Sequence, residues 1–442
     1  MFHGKGHSLR PLLLILSLLV FSMPLLAQDE ADSGETAEED SEQQEGKRTS
    51  KSGLSVPTFG GPSSVGSELE DQDKLKEHHF DGLQRALRPW FDWKRGLDDK
   101  HGLSLGFNAS VLGQYGDSSL ADMNVAAGGV YRLQAAWELA GRDTGHPGTL
   151  DVRFEYRGKI GAIGPSSFSS DLGIASIDSG FAYSDEFGPD IAVLNWTQLF
   201  AGQRAGFVVG RLDYAAYFDP YFYQTLAQGF LNRAFVINPS TATPGVGALG
   251  TGIKGFVSEQ IWLGAVAYDG NATSGDFDLD TFDARELFKH VEIGWAPSFD
   301  RRKTDRIQLT YWEMDERVAA GKSAGSGWLL TMSGRVTDRH LLFLRAGTSD
   351  GGAGAPAEQA LSVGIGTSFK YDELSIGAGW SRPSEDTFGA GLSDEYLVEV
   401  SYRFQMSPNT TLMPDMQIVF DPAKNPEEDR VLVWSLRIRW EI

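Results

Sequence analysis

Leu150-Asp151-Val152-Arg153-Phe154-Glu155-Tyr156-Arg157 alternates without a break, setting four apolar side chains against four charged ones. Successive side chains of an extended chain point to opposite faces, so a period of two sorts residues onto two surfaces. Here one surface is wholly apolar and the other carries two acids and two bases. That split suits a strand with lipid on one side and a water-filled lumen on the other. The pattern continues outward in both directions. Upstream, Leu103, Leu105, Phe107, Ala109 and Val111 alternate with Ser104, Gly106, Asn108 and Ser110, and Val125 to Leu139 alternate with a face that includes Arg132, Gln134 and Glu138. Downstream, strand-like segments recur at about 190–199, 204–213, 249–257, 259–268, 287–296, 305–315, 326–336, 340–348, 358–370, 373–381, 394–405, 409–420 and 430–442.

The total is about sixteen, many of them long enough to cross the hydrocarbon layer when tilted. An even number of hairpin-linked strands brings the first beside the last. Closure is required because each unpaired backbone group in lipid costs several kcal/mol. The expected fold class is therefore all-β, a transmembrane antiparallel β-barrel of about 16 strands over residues 102–442, with a short N-terminal periplasmic helix. Short links such as Thr337-Asp338-Arg339, Tyr371-Asp372-Glu373 and Met406-Ser407-Pro408 suit the periplasmic end. Longer links (158–188, 269–286, 349–358 and 382–393) suit the outer end. Tyr115, Trp196, Tyr268, Trp295, Trp328, Trp380, Tyr402 and Trp440 lie near strand ends, where aromatic girdles form.

The 101 residues before the barrel read in three parts. Met1–Ala27 has a basic start (Lys5, Arg10), an apolar run at Leu12–Val20 and a small residue before Gln28, the features of a secretory signal. Residues 28–74 form an acidic, low-complexity linker, expected to be disordered as far as residue 70 because it holds too little apolar area to offset chain entropy. Residues 75–101 are expected to hold a short helix and lead-in, with Leu75, Phe80, Leu83 and Leu87 as its stripe and Pro89 near its end.

Composition narrows the function. The net charge is −21, which gives no support to nucleic-acid binding. With no cysteine, disulfides are excluded. Gly-x-Ser-x-Gly occurs around Ser323 and Ser349, but in loops rather than the strand–turn–helix setting of a nucleophile elbow. His290 and His340 fall in or beside strands as ordinary wall positions. Asp276, Asp278 and Asp280 alternate in a loop without the glycine and closing glutamate of a calcium-binding loop. No catalytic residue, metal or cofactor is expected. A passive pore needs only a polar lumen and a filter. Asp151, Arg153, Glu155 and Arg157 supply a wall of mixed sign, and Arg345, Arg403 and Arg437 fall on the polar faces of later strands.

Three stretches resemble the carbohydrate-selective porins of the OprB family. They are Gly210-Arg211-Leu212-Asp213-Tyr214-Ala215-Ala216-Tyr217-Phe218-Asp219; then Phe230-Leu231-Asn232-Arg233-Ala234-Phe235 with Asn238-Pro239 and Pro244-Gly245-Val246-Gly247; and Tyr402-Arg403-Phe404, Pro408, Leu412 to Val419 and Asp421-Pro422. The segment Trp93–Leu103 is a degraded form of that family's N-terminal pattern, and Ile442 stands where most such barrels carry an aromatic. The resemblance implies an outer-membrane channel for small neutral solutes, with sugars the expected substrates, embedded in outer-membrane lipid. It also implies that the segment after Asp213 folds into the lumen, with Asp213, Tyr217, Asp219, Asn232 and Arg233 at its constriction. A general porin without sugar preference and a structural or adhesive barrel are the alternatives, and the letters do not decide between a monomer and a homo-oligomer.

Overall fold

The computed structural model describes residues 60–74, 76–80, 84–121, 123–273 and 285–442. The signal sequence, most of the acidic linker, Leu75, Leu83 and the Asp276–Asp280 loop lie outside them. Two helices come first, α1 (Val65–Asp73) and α2 (Gln84–His101). The strands β1 (Leu103–Gly116), β2 (Val125–Ala140) and β3 (Gly148–Lys159) follow, then helix α3 (Pro165–Asp171). After β4 (Glu186–Phe200) and β5 (Ala205–Leu212) come two single-turn helices, α4 (Tyr214–Tyr217) and α5 (Arg233–Val236). The rest are β6 (Ala248–Phe256), β7 (Ile261–Asp269), β8 (Leu287–Trp295), β9 (Arg306–Met314), β10 (Gly325–Arg335), β11 (His340–Ser349), β12 (Ala357–Ser368) and β13 (Glu373–Pro383). The short helix α6 (Glu385–Phe388) precedes β14 (Glu395–Ser407), β15 (Thr410–Phe420) and β16 (Arg430–Glu441).

Every strand pairs antiparallel with its sequence neighbours, and β1 pairs with β16 to close the barrel. The seam runs from Asn108 opposite Glu441 to Gly116 opposite Val433, and Ile442 exchanges two further backbone hydrogen bonds with Phe107. The closed ring thus leaves no open sheet edge, as hydrocarbon demands.

The faces fall as the alternation requires. On β3, Leu150, Val152, Phe154 and Tyr156 point outward, while Asp151, Arg153 and Glu155 are buried inside and Arg157 is nearly so. Tyr115, Trp295, Trp328 and Trp440 are exposed on the outside. Tyr268 is a correction. It is fully buried on the inner face of β7, between Phe288 and His290, so it belongs to no girdle. A bulge also intervenes on β4, where Val193 pairs with Arg153 and Ile191 with Phe154. Ala192 is the extra residue, and it lets Asp190 and Val193, three apart, both face inward.

Two corrections concern the N-terminal region. Residues 65–70, expected to be disordered, belong to α1. Ser64 caps this helix, its Oγ accepting from the Ser67 N–H at 3.4 Å. Helix α2 does not stop at Pro89 but passes through it to His101. Between the helices, His79 and Phe80 donate their backbone N–H groups to Gln405 and Met406. His79 also reaches Asp372 in the β12–β13 turn at 2.9 Å. Burial pushes the Asp372 carboxyl up, but hydrogen bonds from His79, the Gln405 N–H and Tyr402 outweigh it and hold the group below its usual value.

Candidate functional site

The lumen is built from three parts: the polar inner wall, an inward-folded loop and α1. The wall contributes a row of arginines on β2 and β3. Arg132 Nε donates to Glu155 at 2.6 Å, and Arg157 Nε donates to the other oxygen of the same carboxylate at 2.5 Å. Arg157 also lies over the Phe187 ring. Arg153 has its guanidinium fully engaged, with Asp213 at 2.9 Å, Gln134 at 3.0 Å and the Ser63 carbonyl at 2.6 Å. Asp151 sits at the end of this row nearer the short turns and accepts from Thr197 at 3.3 Å. Arginine suits such positions because its planar fork satisfies several acceptors at once.

The loop of residues 213–247 folds into the barrel and is buried along most of its length. Asp213 starts it by capping α4 through the Ala215 N–H. Tyr217 packs inward, with Asn195 reaching its hydroxyl at 3.5 Å, and burial raises its phenol well above the ordinary value. Asp219 then crosses to the opposite wall, where Arg345 on β11 donates at 2.7 Å, Thr331 on β10 at 2.9 Å and Gln308 on β9 at 3.3 Å. Burial pushes the Asp219 carboxyl up and Arg345 pulls it back, with burial the larger influence. The return limb is fastened to the last strands. Glu399 on β14 accepts from the N–H groups of Leu231 and Asn232, and the Asn232 side chain donates to Gln417 on β15 at 2.9 Å and to the Ile177 carbonyl at 3.0 Å. Arg437 on β16 holds the carbonyls of Gln228 and Gly229. Tyr221, Tyr223, Phe230, Phe235 and Phe343 interlock edge-to-face beneath it.

The nine residues singled out from the sequence therefore divide. Asp151, Arg153, Glu155, Arg157 and Asp213 come together on one side of the lumen, and Tyr217 packs on the same side against Asn195 of β4. Asp219 and Asn232 act as latches against the far wall. Arg233 lies over the Phe181 ring, 5.2 Å from its centre. Among the described residues, two cavities border Thr225. Toward the short turns, about 180 Å³ is enclosed by α1, Tyr221, Phe222, Thr225, Arg306, Arg439 and Glu441 among others. Toward the long loops, about 50 Å³ is bordered by Arg132, Arg157, Phe181, Tyr214 and again Thr225.

Sequence reading missed Arg132, Glu399 and Glu68. The polar face of β2 already displays Arg132. Glu68 is hidden by its acidic surroundings, and only the Ser64 cap hints at the helix carrying it. Ser323 and Ser349 are used in loop hydrogen bonds, to Asp386 and to the Ala357 carbonyl. Among the described residues no group of three or more metal-ligating side chains converges.

Comparison with known proteins gives a consistent picture. Residues 302–442, which hold β9–β16, match the family model for carbohydrate-selective porins of the OprB family. The third resembling stretch lies within that match and the first two precede it. The high-pH structure of Pseudomonas putida OprB superposes with a TM-score of 0.63 at 15% identity, over 80% of this chain and 97% of that one. The low-pH structure of the same protein gives 0.49 at 13% identity, over 84% and 100%. A triple mutant of the Rhodopseudomonas blastica porin gives 0.46 at 12%, over 77% and 100%. No curated protein matches the chain.

Proposed function

We propose, from the match of residues 302–442 to carbohydrate-selective porins, that this chain is an outer-membrane porin through which small neutral solutes, sugars preferred, diffuse passively. The observation that carries the reading is the closed sixteen-stranded barrel whose polar inner face is narrowed by the loop of residues 213–247. Family and fold both speak for a channel rather than an enzyme.

The geometry supports a neutral solute in two ways. Charges along the β2–β3 wall stand in close opposite-sign pairs, so an ion of either sign meets little net field there. Carboxylates, guanidinium groups and amides can trade hydrogen bonds with hydroxyls that both donate and accept. Tyr214, Tyr221 and Phe222 border the two cavities, and their ring faces suit the C–H faces of a sugar. Asp151, Arg153, Glu155, Arg157 and the loop residues Asp213, Tyr217, Asp219, Asn232 and Arg233 thereby shape the pathway. Arg157 touches the solute and the deeply buried members hold the wall and loop in place.

The small volumes of these two cavities, about 180 and 50 Å³, give one specific reason to weigh the structural-barrel reading. Liposome swelling separates the readings. Faster swelling in glucose than in a charged amino acid of similar size is the expected result. Equal rates indicate a general porin, and no swelling with any solute refutes the channel.

A further inference from the structure

Helix α1 is not part of the barrel, yet it lies against the inner wall of β1–β3. Its apolar side, Val65 and Leu69, packs on Ala136 and Val193, an apolar patch of the inner wall. Gly106 on β1 adds a second sign of fit, since a Cβ there would collide with Leu69 and Gln72. The polar side of α1 faces the larger cavity, which Ser67, Glu68, Glu70, Asp71 and Lys74 help to line.

The helix brings charge with it. Residues 60–74 hold four acids and one base, a net −3. Glu68 goes deepest. One carboxylate oxygen accepts from Arg132 at 2.6 Å and lies 3.6 Å from Arg153, and the other accepts from Gln134 at 2.7 Å and Asn108 at 3.2 Å. Without Glu68 the row would hold Arg132, Arg153 and Arg157 against Asp151, Glu155 and Asp213, and Arg132 and Arg153 would each lose the carboxylate they share.

The geometry points to Glu68 as the residue that sets the charge selectivity of the pore, by cancelling one arginine of the β2–β3 row from a helix inserted into the lumen. This rests on the porin reading. It makes the ionic preference of the pore depend on the inserted segment as well as on the barrel wall.

The test is the reversal potential across a planar bilayer with a KCl gradient, with the folded state of each variant checked by its gel mobility before and after heating. Glu68→Gln is expected to raise the anion-to-cation permeability ratio roughly threefold, the scale of one charge acting a few ångströms away in a wet lumen. The double variant Glu68→Gln with Arg132→Gln is expected to return toward the parent ratio. Gly106→Leu, which pushes α1 off the wall, is expected to shift the ratio the same way and raise conductance, and it carries the test should Glu68→Gln not fold. A conducting parent whose ratio none of these variants moves overturns the inference and leaves the porin intact. A silent parent with a conducting Gly106→Leu supports control of the lumen by α1. Silence from both overturns the porin reading itself.

Discussion

Replacing Asp219 by alanine is expected to cost about 3–5 kcal/mol of barrel stability, because it strands the Arg345 charge inside the barrel without its partner. It is also expected to raise single-channel conductance, since Asp219 ties the first limb of the loop to β9, β10 and β11 at once. Denaturant unfolding and bilayer recordings measure the two effects. Asp219 has a φ of 41°, a left-handed conformation that asparagine tolerates better than alanine. Asp219→Asn therefore isolates the charge from the backbone, and it should retain part of the stability while still loosening the loop. Conductance unchanged in both variants would mean that the contacts of Glu399 and Arg437 hold the loop by themselves.

The second large effect tests which face meets lipid. Phe154 stands near the middle of β3 and points outward, half exposed. Phe154→Arg is expected to destabilise the barrel by about 2–4 kcal/mol in a bilayer, as a cation placed near the midplane does. The measurement is reversible unfolding from liposomes. A cost below about 1 kcal/mol would place this face against water or another protein surface rather than hydrocarbon.

Alternation made the wall legible. In a lipid-bound barrel every strand must present one apolar face, so the constraint repeats along the whole chain and the strand ends emerge within a few residues. The inward loop after Asp213 was legible only through resemblance, because its own letters lack any period. What stayed hidden depends on contacts between distant segments. Helix α1 looks like more of the acidic linker, since its stability comes from Arg132, Gln134 and the Ala136–Val193 patch, 60 or more residues away, rather than from helix propensity. The bulge at Ala192 adds one residue without changing composition, so nothing in the sequence marks it. Tyr268 misled because an aromatic near a strand end serves a girdle or an interior cluster equally well, and only its parity along β7 separates the two. Pro89 misled because losing one N–H is a local penalty that an otherwise continuous helix can absorb.

The pairing of β1 with β16 has a consequence for biogenesis. The two strands that must meet are almost the whole barrel apart in sequence, so the ring is a high-contact-order structure whose final step joins its most distant parts. Until that step, both free edges offer unpaired backbone to any neighbour. Helix α1 precedes β1 and the loop of residues 213–247 sits mid-chain, yet both end up enclosed. The economical order of events is therefore that the interior is furnished while the sheet is still an open, curling ribbon, and that zipping of the ends comes last. A ribbon that zipped early would lock its own contents outside.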